Sequence, residues 1–114
     1  MYYSMIRALF IVLLLLCGTS YGATVLVLGD SLSASYGIAE QRGWISLLSG
    51  ELAPRHRMVN ASISGDTSGG GLARLPRLLE EYSPDFVLIE LGANDGLRGA
   101  PLGLIEKNIT QMIE

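Results

Sequence analysis

The sequence predicts an α/β fold with a parallel sheet, on three observations. Short apolar runs alternate with segments whose apolar residues recur at helical spacing. The runs are too short for helices and lack a polar face, as strands covered by helices on both sides require. Glycines and small polar residues cluster directly behind the ends of those runs. Strands separated by helices imply right-handed crossovers, which lay the strands parallel between helical layers.

The first strand is Thr24-Val25-Leu26-Val27-Leu28. Gly29 behind it permits the sharp turn needed before a helix can fold back. Trp44, Leu47, Leu48 and Leu52 then keep helical spacing through about Ala53, where Pro54 marks the stop. Residues 57–63 read as a second short strand. Leu72, Leu75, Leu78, Leu79 and Tyr82 form one face of a second helix, ended by Ser83-Pro84. Residues 85–91 contain Phe86-Val87-Leu88-Ile89, a third strand with the apolar density of a central one. Ile105, Ile109, Met112 and Ile113 begin a third helix that Pro101 helps to start.

Residues 1–23 stand outside this pattern. Arg7 precedes an unbroken apolar run, 8–16, followed by Cys17-Gly18-Thr19-Ser20-Tyr21-Gly22-Ala23. A positive start, a short apolar core and a small-residue zone are the layout of a secretory signal peptide. Cleavage is expected after Gly22 or Ala23, and the product is expected in the periplasm or outside the cell. The apolar core falls short of the roughly 20 residues a membrane span needs, so no stable span remains after cleavage. Leu16 stands where a lipid-attachment site at Cys17 would want a small residue. With the leader gone the chain has no cysteine, which excludes disulfides, a thiolate nucleophile and cysteine-bound metal. Its loss removes Arg7 and no acid, leaving seven basic against eleven acidic residues and a net charge of −4. That balance disfavours nucleic acid as a partner. Residues 24–114 fit one small domain or part of a larger one, expected to be monomeric.

In an open parallel sheet the loops behind the strands converge on one edge, where ligands bind. Those loops, 29–36, 64–71 and 92–103, carry in turn Gly29-Asp30-Ser31-Leu32, the end of Ser62-Ile63-Ser64-Gly65-Asp66-Thr67, and Gly92-Ala93-Asn94-Asp95-Gly96. Taken alone, Ser31 has two readings: a nucleophile at a strand end, or with Asp30 a helix cap. Chemistry favours the first once the loops are combined. A serine attacking a carbonyl creates an oxyanion that preorganised donors must meet. The Ser31 N–H, the Gly65 N–H and the Asn94 side-chain amide can supply them, which makes Ser31, Gly65 and Asn94 the candidate catalytic residues of an acyl-transfer site.

Gly29-Asp30-Ser31-Leu32-Ser33, residues 60–68 and Gly92-Ala93-Asn94-Asp95-Gly96-Leu97-Arg98-Gly99 resemble the first three blocks of the GDSL, or SGNH, hydrolases. Gly71-Leu72-Ala73-Arg74-Leu75-Pro76 adds a likeness to the exported thioesterase, lysophospholipase and arylesterase branch. The resemblance runs from about Thr24 to the last residue. It implies a flavodoxin-like three-layer fold, Ser31 as nucleophile, and an oxyanion hole of the Ser31 amide, Gly65 amide and Asn94 side chain. It also implies acyl esters or thioesters as substrates, with no metal and no organic cofactor.

The chain departs from that family in one respect. Members carry a later block with an Asp and a His three residues apart, the His being the base that activates the serine. Here the only histidine is His56, between Arg55 and Arg57 and ahead of the second strand, hence toward the opposite edge. It reads as a solvated loop residue. Asp30 and Asp95 are expected to hydrogen-bond loop amides rather than act as bases. The last helix breaks off in mid-period without a stop signal. The expectation is therefore an N-terminal part of the domain, short by roughly two strands and their helices, and nearly inactive by itself. Two other classes stay open at this point. One is a noncatalytic binding module on the same fold. The other is a phosphate or nucleotide binder using Gly69-Gly70-Gly71 at a helix start.

Overall fold

A computed structural model describes residues 22–114. The proposed leader, except Gly22 and Ala23, lies outside the described residues. Three strands, β1 (Thr24–Gly29), β2 (Arg57–Asn60) and β3 (Phe86–Glu90), form a parallel sheet in the order β2-β1-β3. The helices are α1 (Trp44–Leu52), α2 (Ser68–Tyr82), α3 (Ala93–Leu97) and α4 (Leu102–Ile113), with one turn of 3-10 helix, Glu40–Arg42, ahead of α1. The α/β architecture is the one the alternating pattern predicts.

Side chains alternate across the sheet, and the register aligns Leu26 with Val59 and Val87. Leu26 and Leu28 are fully buried and pack with Leu75 of α2, joined by Val59, Leu78, Val87, Leu91 and Met112 of α4. Burying each such side chain contributes about 1.5 to 3 kcal/mol. The crossover through α1 steps from β1 to β2, and that through α2 steps back past β1 to β3. Two right-handed crossovers in opposite directions place their helices on opposite faces, giving the layered arrangement.

β1 holds the centre of the described sheet and β3 its margin. The strand expected to have central character is thus poorly covered on one side: Phe86 and Leu88 are 61% and 45% exposed. Both stand on the face opposite Val87.

Three features differ from expectation. β2 ends at Asn60 rather than 63, because the Asn60 side chain takes over the local bonding: its Oδ1 accepts from Ser62 N at 3.1 Å and its Nδ2 donates to Ser33 O at 2.8 Å. The chain still runs beside β1, with Ala61 N and Ile63 N donating to Val27 O and Gly29 O. α2 begins at Ser68, four residues before the first apolar position, because Thr67 Oγ1 caps it by accepting from Gly70 N at 3.1 Å. The three glycines are its first turn. α3 is an added element inside the expected third loop, too short at five residues for periodicity to reveal. Among the described residues no helix is long and apolar enough to cross a membrane.

Candidate active site

The three loops behind the strands converge, and hydrogen bonds between them set the geometry. In the first, the Asp30 carboxylate is 1% exposed and its Oδ1 accepts from Leu32 N at 3.0 Å, a local Asx turn. Ser33 Oγ donates to Glu90 Oε1 at 2.8 Å, tying this loop to the end of β3. Gly29 lets it pass: a Cβ there would stand 2.8 Å from Ser33 Cβ and Oγ. The helix-cap reading of Asp30-Ser31 does not hold: residues 31–37 are turns rather than a helix, and Asp30 closes a local turn instead. Among the described residues Ser31 Oγ has no hydrogen-bond partner.

The second loop is a tight turn closed by Asp66 N donating to Ile63 O at 3.1 Å. Gly65 takes its third position with φ +81°, the conformation that favours glycine in a type II turn. Arg74 of α2 holds this turn: its Nε donates to Asp66 Oδ2 at 2.8 Å, its Nη2 forms an ion-pair contact to the same oxygen at 2.7 Å, and its Nη1 donates to Ala61 O. Among the described residues the backbone N–H groups of Ser31 and Gly65 meet no protein acceptor.

Asn94, on α3, joins the three loops. Its Nδ2 donates to Asp66 O at 2.9 Å and to Asp30 Oδ2 at 3.2 Å, the residues next to Gly65 and Ser31 respectively. Arg98 adds a second tie, with Nη2 donating to Gly65 O at 2.8 Å and its own N–H to Asn94 O. The structure thus brings Ser31, Gly65 and Asn94 to one edge. His56 lies at the other, where its Nδ1 accepts from Ala23 N at 3.1 Å beside the start of β1.

Asp95 anchors α3 beneath this edge. Its carboxylate, 4% exposed, accepts from Ser68 N and Ser68 Oγ, both at 2.7 Å, and Asn108 of α4 donates to the same hydroxyl at 2.9 Å. Burial pushes the Asp95 carboxyl up, but the two Ser68 bonds, a bond from its own backbone and the Arg98 charge together hold it below the ordinary value. This carboxylate occupies the N-terminus of α2, so the glycine turn there offers no open anion cradle. Sequence reasoning missed Arg74, Ser68 and Asn108. Asn108 left a signal: it stands in the apolar stripe Ile105, Ile109, Met112, where a polar side chain needs a buried partner. Among the described residues no three His, Cys, Asp or Glu side chains gather as metal ligands.

A serine with open donors at the ends of three parallel strands defines a class, and sequence comparison agrees. Residues 27–114 match the GDSL-like Lipase/Acylhydrolase family, and the chain belongs to it. It is 51% identical over 114 residues to an arylesterase of Vibrio mimicus, covering 96% of this chain and 57% of the relative. It is 50% identical to esterase TesA of Pseudomonas aeruginosa, covering 90% and 52%, and 50% identical to thioesterase 1/protease 1/lysophospholipase L1 of Escherichia coli K12, covering 80% and 44%. The chain spans about half the length of the curated relatives it matches. Among solved structures it is similar to TesA (TM-score 0.75, 54% identity, 78% of this chain and 51% of that one). It is also similar to the esterase EstA of Pseudoalteromonas sp., solved inhibited by monoethylphosphonate (TM-score 0.76, 51% identity, 80% and 51%). The SGNH-hydrolase family esterase AlinE4 matches at TM-score 0.75 and 31% identity over 83% and 53%.

Proposed function

We propose that this chain, together with the downstream half its relatives carry, is an exported serine hydrolase of acyl esters or thioesters. The observation that supports it most is that Asn94 ties together the loops of Ser31 and Gly65, where among the described residues the Ser31 hydroxyl and the two backbone N–H groups have no hydrogen-bond partner. In this reading Ser31 Oγ attacks the acyl carbonyl and its proton passes to a histidine in the downstream half. The oxyanion is met by the two backbone N–H groups and the Asn94 amide. The intermediate collapses by expelling the alcohol or thiol, which takes the proton from the histidine, and water activated at the same base then hydrolyses the acyl-enzyme to the free acid and Ser31. Residues 1–23 act as the export signal, removed after Gly22 or Ala23.

Substrate preference is proposed from the same edge. Leu32, Ile63, Leu97 and Leu102, on or beside the three loops, are 72%, 52%, 86% and 78% exposed. Apolar side chains so placed suit an acyl chain better than water. The test is a series of p-nitrophenyl esters of graded chain length, run on the whole protein. Activity that rises with acyl length up to a limit agrees with this reading; no hydrolysis of any ester contradicts it.

Two further outcomes are expected. Asn94→Ala in the whole protein should lower kcat by about 10²-fold, since removing one oxyanion donor costs about 10² to 10³ and two donors remain. Steady-state kinetics check it. Residues 24–114 alone should show no serine-dependent hydrolysis of p-nitrophenyl acetate, because their one histidine, His56, is at the wrong edge. Turnover abolished by Ser31→Ala in that piece would overturn the expectation.

A further inference from the structure

The Asn94 amide has two hydrogens, and both are already engaged: one by Asp66 O at 2.9 Å, the other by Asp30 Oδ2 at 3.2 Å. We infer that Asp30 is a positioning residue, whose buried carboxylate presets both the Asn94 donor and the backbone of Ser31 for the proposed acyl transfer. The inference rests on the reading of Ser31 as nucleophile and extends it.

An asparagine amide is nearly isosteric under rotation by a half turn, which exchanges its nitrogen for its oxygen. Oxygen facing the reacting carbonyl would repel the developing oxyanion. A carboxylate oxygen and a peptide carbonyl are acceptors only, so Asp30 and Asp66 together admit the nitrogen and exclude the oxygen. The bond to Asp30 is the longer of the two, and its hydrogen is the one an oxyanion can draw upon. Asp30 Oδ1 meanwhile accepts from Leu32 N at 3.0 Å, fixing the backbone directly behind Ser31. One carboxylate, 1% exposed, thus spans the nucleophile's loop and the third loop. Held this way, the amide is already turned nitrogen-first, and when charge forms the donor has only to share or exchange its longer bond.

Asp30→Asn keeps the shape and leaves Leu32 N an acceptor, but turns an amide nitrogen toward Asn94. The test compares wild type, Asp30→Asn, Asn94→Ala and the double variant in the whole protein, with thermal melts alongside. Asp30→Asn should lower kcat by about 10-fold, below the full loss of a donor, while KM stays within about twofold. The double variant should be within about twofold of Asn94→Ala alone, because a residue acting through Asn94 has nothing left to position. Effects that multiply in full, or a change confined to KM, would overturn the inference. If Asp30→Asn does not fold, the wild-type protein decides by NMR: slow solvent exchange of both Asn94 side-chain hydrogens supports it, and fast exchange of both refutes it. Ser31→Ala is the control for the underlying reading. Activity surviving it sinks that reading, whereas loss of activity with multiplying Asp30 and Asn94 effects sinks only this one.

Discussion

Ser31→Ala in the whole protein is expected to lower kcat for p-nitrophenyl ester hydrolysis by about 10⁶-fold while leaving the fold intact. The magnitude follows from a well-studied serine protease, in which losing a nucleophile or its base costs about 2 × 10⁶ in kcat. The second half of the expectation follows from the site. Among the described residues Ser31 Oγ bonds to nothing, and its backbone is placed by Gly29, by the Asp30 turn and by Ser33 rather than by the hydroxyl. Removing an oxygen that makes no internal bond should move stability by no more than about 0.5 kcal/mol. Kinetics and a thermal melt of the same sample check both parts. A variant that loses activity because it unfolds would assign the hydroxyl a structural role instead.

Asp95→Ala should do the reverse, acting first on stability. The Asp95 carboxylate accepts two short bonds from Ser68, and removing it strands a buried N–H and weakens the hold of Asn108 on the same hydroxyl. Hydrogen bonds to charged groups are worth about 1.5 to 3 kcal/mol each, so a loss of about 3 to 5 kcal/mol is expected. Denaturant titration measures it. The effect carries a pH signature whose sign is fixed by the folded-state shift. The folded carboxyl titrates below its ordinary value of 3.8, so the unfolded chain binds the proton first. The charge-dependent part of the Asp95 contribution is therefore complete above the ordinary carboxylate range and is lost as pH falls through 3.8 and on through the lower folded value. Wild type and Asp95→Ala should draw closer in stability at acid pH; a gap that stays constant down to pH 2 would mean the carboxylate charge is not what Ser68 binds.

Why some of this was legible in sequence and some was not has physical causes. Runs such as Thr24-Val25-Leu26-Val27-Leu28 declare themselves because a strand buried on both faces tolerates no polar residue. Once the strands were known to be parallel, topology alone brought Ser31, Gly65 and Asn94 to one edge. Gly65 was legible because a tight turn at positive φ narrows the choice of residue. Strand order was not, since apolar density in Phe86-Val87-Leu88-Ile89 says a strand is meant to be covered without saying by what. The support of the site was hidden for another reason. Arg74, Ser68 and Asn108 act at separations of 8 to 40 residues, where no local spacing rule operates. Nor could spacing show that Asn94 has both hydrogens engaged, because that depends on where Asp30 and Asp66 fall in space.

Covalent capture of the nucleophile separates Ser31 from every other serine of the chain. The whole protein would be treated with a fluorophosphonate ester, digested, and the adduct located by tandem mass spectrometry. A single phosphonylated residue, Ser31, is expected, with ester hydrolysis lost in step with its labelling. Labelling at any other serine, or full loss of activity with Ser31 unmodified, would contradict it.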